Sequence, residues 1–83
     1  MIDEQAARAA AWHIFDRHFR SDGKLDKVGM LGSALPRDAA VLRSLQALCL
    51  EQARQALQAG HHTEGRRLGD LARQLRKLAD GPR

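Results

Sequence analysis

The sequence predicts an all-α fold, a small helical bundle that ends in an antiparallel helical hairpin. Three observations predict it. Leu68, Leu71, Leu75 and Leu78 recur at alternating three- and four-residue steps, which lines four leucines along one side of a helix. A second apolar-periodic stretch, Val41 through Leu57, lies just upstream. The short polar break Gly60-His61-His62-Thr63 separates them, so the two stretches pair as a hairpin.

The first helix is expected over 3–20. It begins with acidic residues that suit a helix N-terminus and continues through an alanine-rich run without Gly or Pro. Ala7, Ala11, Ile14, Phe15, His18 and Phe19 share one side, with Trp12 at its margin, while Arg8, Asp16, Arg17 and Arg20 tend to the other. Ser21-Asp22-Gly23-Lys24 interrupts this helix, because Gly accepts the left-handed conformation that ends helices and Asp suits tight turns.

Asp26 can cap a shorter second helix over 27–35, which would present Val28, Met30, Leu31 and Leu35. Gly29 and Gly32 weaken it by about 1 kcal/mol each relative to Ala. Pro36 suits the first turn of a third helix expected over 36–59, and Asp38 adds negative charge near its start. The apolar positions of that helix (Val41, Leu42, Leu45, Leu48, Cys49, Ala53, Ala56, Leu57) form a stripe wide enough for two neighbours, and Leu50 widens it. Gly60 is placed to terminate it. Thr63 can cap the last helix, expected over 63–79 and stopped by Gly81-Pro82. The predicted seam consists of Leu45, Leu48, Leu57, Leu68, Leu71, Leu75 and Leu78, with Phe15 and Phe19 closing one end.

Size and composition narrow the function classes. A chain of 83 residues reads as a single domain, 1–83, which buries only roughly 60 to 65 per cent of the surface its unfolded chain exposes. With Trp12, Phe15 and Phe19 as its only aromatics, the core is mostly leucine and alanine, so a partner or a second copy could complete it. The single Cys49 rules out an internal disulfide, and no N-terminal targeting pattern is visible, which makes a reducing cytoplasm the expected compartment. No apolar run approaches the roughly 20 residues that span a bilayer, so no membrane partner is expected.

The net charge of +4 is unevenly placed. Up to Leu35 the basic and acidic residues balance. At the C-terminal end Arg66, Arg67, Arg73, Arg76, Lys77 and Arg83 face only Glu64, Asp70 and Asp80. Arg73, Arg76 and Lys77 also suit the C-terminal half of a helix, where the dipole favours cations by roughly 0.3 to 1 kcal/mol each.

No residue pattern points to catalysis or to a metal or cofactor. His13, His18, His61, His62 and Cys49 are the soft ligands present, but a structural zinc site needs about four on converging elements. His13 and His18 are on diverging sides of one helix, and the adjacent His61 and His62 would point apart. Cys49, mid-helix among leucines, reads as a small buried side chain. No Ser, His and Asp arrangement stands out as a catalytic candidate.

Phe15-Asp16 through Asp22-Gly23-Lys24-Leu25-Asp26 resembles a degenerate EF-hand loop and is similar to the Asp-Gly joint between helices in tellurite-resistance TerB-like domains. With Gly23 at the EF-hand glycine position, Asp22 and Asp26 fall on ligand positions, but His18 and Gly29 occupy the first and last, where calcium needs carboxylates. A plain Asp-Gly turn results. The hairpin Leu45 through Leu78, turning at Ala59-Gly60, resembles a tetratricopeptide-type helix pair and is similar to the helical co-chaperones of type III secretion needle subunits. Either resemblance implies a helical face offered to another helix.

The expected function is that of a non-enzymatic adaptor or small chaperone. Trp12, Leu31, Leu42 and Leu50 are the candidate partner-binding residues, being apolar helical positions in excess of what one hairpin can bury. Its partner is another protein or a second copy. The alternative is a small DNA- or RNA-binding regulator that uses Arg66, Arg67, Arg73, Arg76 and Lys77, although no aromatic lies among them for bases to stack on.

Overall fold

The computed structural model describes residues 3–19 and 25–81. They form an all-α protein of four helices: α1 (Glu4–His18), α2 (Lys27–Ala34), α3 (Ala39–Gln58) and α4 (His62–Ala79). The expected break at Ser21-Asp22-Gly23-Lys24, Arg20 before it and the stop at Pro82 lie outside the described residues.

Local chemistry sets most of the helix boundaries. Asp3 caps α1 by accepting the Ala6 N–H at 2.7 Å, and Asp26 caps α2 by accepting that of Gly29 at 2.9 Å. The third helix starts later than the proline suggested. Pro36 lies in the turn before it, and Asp38 is the cap, its extended backbone freeing the carboxylate to accept the Val41 N–H at 3.1 Å. The C-terminus of α3 carries a paired closure: His61 N–H donates to Ala56 O at 2.8 Å and Gly60 N–H to Leu57 O at 3.1 Å. That arrangement needs a left-handed residue, and Gly60 supplies φ +87°. Its tightness lets α4 begin at His62 rather than at Thr63. His61 is the N-cap and makes no side-chain capping bond, so Thr63 lies in the first turn instead of before it.

Packing centres on the hairpin. The most extensive interhelical contact joins α3 to α4, and α1 lies against α3 on its other flank, so the wide apolar stripe of α3 does meet two neighbours. Leu45, Leu68, Leu71 and Leu75 are fully buried, together with Cys49 and Met30. Small residues let the helices approach: Ala53 and Ala72 are buried in the seam, and Ala7 and Ala11 in the face of α1. Gly65 marks the closest point. A Cβ there would stand 2.7 Å from the Leu57 side chain and 3.2 Å from the Ala53 carbonyl oxygen.

Two of the seam leucines, Leu48 and Leu78, are half-buried. Leu57 departs from expectation, being half exposed because it lies over Gly65 in the last turn of α3 with nothing covering its outer side. Phe15 is buried with its ring stacked on Phe19 at 4.9 Å, and Trp12 meets Phe15 edge-on at 6.2 Å. Trp12 is nevertheless about half exposed.

The second helix buries only part of its apolar set. Its apolar residues make two stripes, and a helix of eight residues can press only one inward. Met30 and Ala34 are the buried pair, which leaves Val28 82% and Leu35 61% exposed and Leu31 at the boundary.

Leu71→Ala is expected to destabilise the fold by roughly 2 to 5 kcal/mol, since it opens a cavity in a fully buried seam. Leu50→Ala, on the outer face of α3, should cost less than about 1 kcal/mol. Paired thermal melts check the ordering, and equal melting temperatures would contradict the placement of the seam.

Candidate interaction surface

The four candidate partner-binding residues divide on burial. Trp12 and Leu50 are about half exposed and remain candidates. Leu31 is half-buried against the core. Leu42 is a correction: it is 4% exposed and belongs to the core rather than to surplus surface, because α3 packs against both α1 and α4. Leu57, which the sequence placed in the seam, supplies exposed apolar area instead, and so do Val28 and Leu35.

These side chains are in helical register. Val28 on α2 and Leu35, its C-cap, are seven residues apart in helical backbone, with Leu31 between them on the same face. Arg43, Leu50 and Leu57 follow one another at seven-residue steps along the outer side of α3. Leu35 is shared with a second feature, an open groove of about 1090 Å³ between the start of α3 and the end of α4. Leu35, Leu42 and Leu78 supply its apolar lining, Arg37, Arg43 and Lys77 its cations, and Asp80 its carboxylate.

The basic residues of α4 are all exposed. Arg66, Arg73 and Lys77 share the solvent-facing stripe, at the first, eighth and twelfth positions of one face. Asp70 interrupts that stripe and lies 4.0 Å from Arg73. Arg67 is committed elsewhere, its guanidinium donating to the Leu25 carbonyl at 3.3 Å and tying α4 to the joint before α2.

That joint holds a constellation the sequence did not disclose. His18, at the end of α1, places Nε2 2.9 Å from the Ser33 hydroxyl and Nδ1 3.6 Å from the Asp26 carboxylate. The order Asp, His, Ser matches that of a hydrolytic triad. A triad also needs donors for a developing oxyanion, and Ser33 lies inside α2, where the backbone N–H groups around it are engaged in the helix ladder. The geometry suits a clamp. Asp26 fastens the joint three times over: its backbone N–H donates to the His18 carbonyl at 2.8 Å, one carboxylate oxygen caps α2, and the other faces the imidazole. Gly29 makes room, since a Cβ there would come within 2.9 Å of His18 Nδ1 and closer still to the Asp26 carboxylate.

Cys49 is buried among apolar side chains, with Sγ 4.0 Å from Met30 Sδ, and burial pushes its thiol up to about 12. The thiolate needed for nucleophilic or metal chemistry is thereby suppressed at neutral pH. Among the described residues no three His, Cys, Asp or Glu side chains are grouped to hold a metal ion, and no helix is long and apolar enough to cross a membrane.

Comparison with known proteins adds no relative: no family model, no curated protein and no solved structure matches the chain.

Gly29→Ala is expected to lower the melting temperature even though Ala favours a helix interior by about 1 kcal/mol over Gly. The added methyl displaces the Asp26 cap and the His18 contact together. A melt at or above that of the parent would show that the clamp contributes nothing.

Proposed function

We propose that this protein is a non-enzymatic interaction module that binds a partner protein, or a second copy of itself, through helical apolar surface outside its core. The observation that carries the reading is the registered exposure of Val28 and Leu35 on α2 and of Leu50 and Leu57 on α3. Isolated exposed leucines are ordinary on a protein surface. Pairs one heptad apart on the same helix face form stripes, and a stripe is what a partner helix packs against. Trp12 adds an aromatic anchor on α1, of the kind enriched at binding hot spots.

The hairpin's resemblance to tetratricopeptide-type pairs and to secretion co-chaperones supports the same reading. Catalysis has less support, since the His18–Asp26–Ser33 chain is explained by the joint it fastens and Cys49 is held as a neutral thiol.

Nucleic-acid binding is a second reading, favoured by the exposure of Arg66, Arg73, Arg76 and Lys77. Asp70 within the stripe and the commitment of Arg67 to Leu25 weigh against it. Were it the function, affinity for a random duplex would fall steeply with salt, and neutralising Arg66 and Arg73 would flatten that slope.

The test is size-exclusion chromatography with light scattering on protein purified from its native host. Self-association, or a companion protein in fixed ratio, is the expected result. Val28→Glu or Leu50→Glu should abolish it while leaving the thermal melt intact, because a charge placed in a buried apolar contact is strongly unfavourable. A monomer without a companion, unchanged by either substitution, would contradict the proposal.

A further inference from the structure

The groove between the start of α3 and the end of α4 differs in chemistry from the leucine stripes. Among the described residues three cations, Arg37, Arg43 and Lys77, line it against a single carboxylate, Asp80. Its apolar lining comes from the exposed Leu35, the half-buried Leu78 and the buried Leu42. At about 1090 Å³ it slightly exceeds the roughly 300 to 1,000 Å³ of small-molecule sites, and it is open to solvent. A short stretch of polypeptide suits those dimensions.

We propose that this groove binds an acidic, leucine-bearing segment of another protein, with carboxylates on Arg37, Arg43 and Lys77 and apolar side chains on Leu35 and Leu78. Charge selects the occupant. A second copy of this chain carries a net charge of +4 and would bring repulsion to a cationic rim. A nucleic-acid backbone would satisfy the cations, but its phosphates gain nothing from a leucine floor, and the groove offers no aromatic on which a base could stack. Only a ligand that is both anionic and apolar uses the whole surface. The arginines add fork geometry that accepts a carboxylate through two parallel hydrogen bonds, which would fix the register of the bound segment.

The inference rests on the interaction-module reading and refines it for one surface. It predicts that attraction depends on ionic strength while residual affinity at high salt comes from the apolar floor.

The experiment is fluorescence anisotropy with a fluorescein-labelled peptide of repeated Leu-Glu-Glu-Leu units, read against the full chain. Saturable binding is expected, weakened at least about tenfold by Arg43→Glu and by Lys77→Glu. Arg17→Glu, which makes the same change in net charge on exposed α1, should leave it unaltered. The two groove variants should instead gain affinity for the matching Leu-Lys-Lys-Leu peptide, and melts confirm that each remains folded. Absence of binding by the acidic peptide, or binding indifferent to Arg43 and Lys77, overturns the assignment. So does a duplex DNA that competes for the groove more tightly than the peptide. If the peptide fails while the Val28- and Leu50-dependent association persists, the groove assignment falls and the wider function stands.

Discussion

Close approach of α3 and α4 is the constraint on which the rest of the structure depends. The two helices meet through leucines at Leu45, Leu68, Leu71 and Leu75, and small residues at Ala53, Gly65 and Ala72 let the backbones come together between them. A seam of alternating large and small side chains excludes water without aromatic bulk. α1 docks on the other flank of α3 with Ala7 and Ala11 inward, and α2 then fills the remaining gap with Met30 and Ala34. Each addition uses a narrow face. The core is complete in the sense that no polar residue is buried among the described residues, yet it is thin, and Val28, Leu35, Leu50 and Leu57 are left outside it.

The hairpin was legible in the sequence because a period of three and four, repeated over four leucines, admits one helical face and one way to bury it. The turn was legible for a similar reason, since Gly60 takes a conformation that most other residues resist. Short elements were not. In α2 the apolar residues fit either of two stripes, and the choice between Met30 and Val28 was made by α1 and α4 rather than by local pattern. Leu57 and Leu42 show the same limit in opposite directions. Periodicity placed Leu57 in the seam, but it occurs where the helices turn, whereas Leu42 counted as surplus and is buried where α3 packs against its two neighbours. The His18, Asp26 and Ser33 chain could not be read in advance, since it joins residues from the end of one helix, the cap of the next and that helix's interior.

Electrostatics divide the surface into parts of different chemistry. On α4 the outward arginines lie along a helix that already favours cations at its C-terminal end, and Asp70 tempers their field. At the groove the cations come from three places: Arg37 from the turn, Arg43 from α3 and Lys77 from α4. Cations gathered from separate elements around an apolar floor form a surface with shape, whereas those along a single helix form a solvated stripe. On the proposed reading, that distinction makes the groove, and not the more obvious basic helix, the selective surface.

Native-state hydrogen exchange tests the central claim most directly, because it ranks the stability of each helix in the intact protein. If the hairpin seam holds the fold together, the slowest amides will lie in α3 and α4 around Leu45, Cys49, Leu71 and Leu75, with α2 opening well before them. Greatest protection in α1, or exchange in α3 and α4 as fast as in α2, would contradict the account.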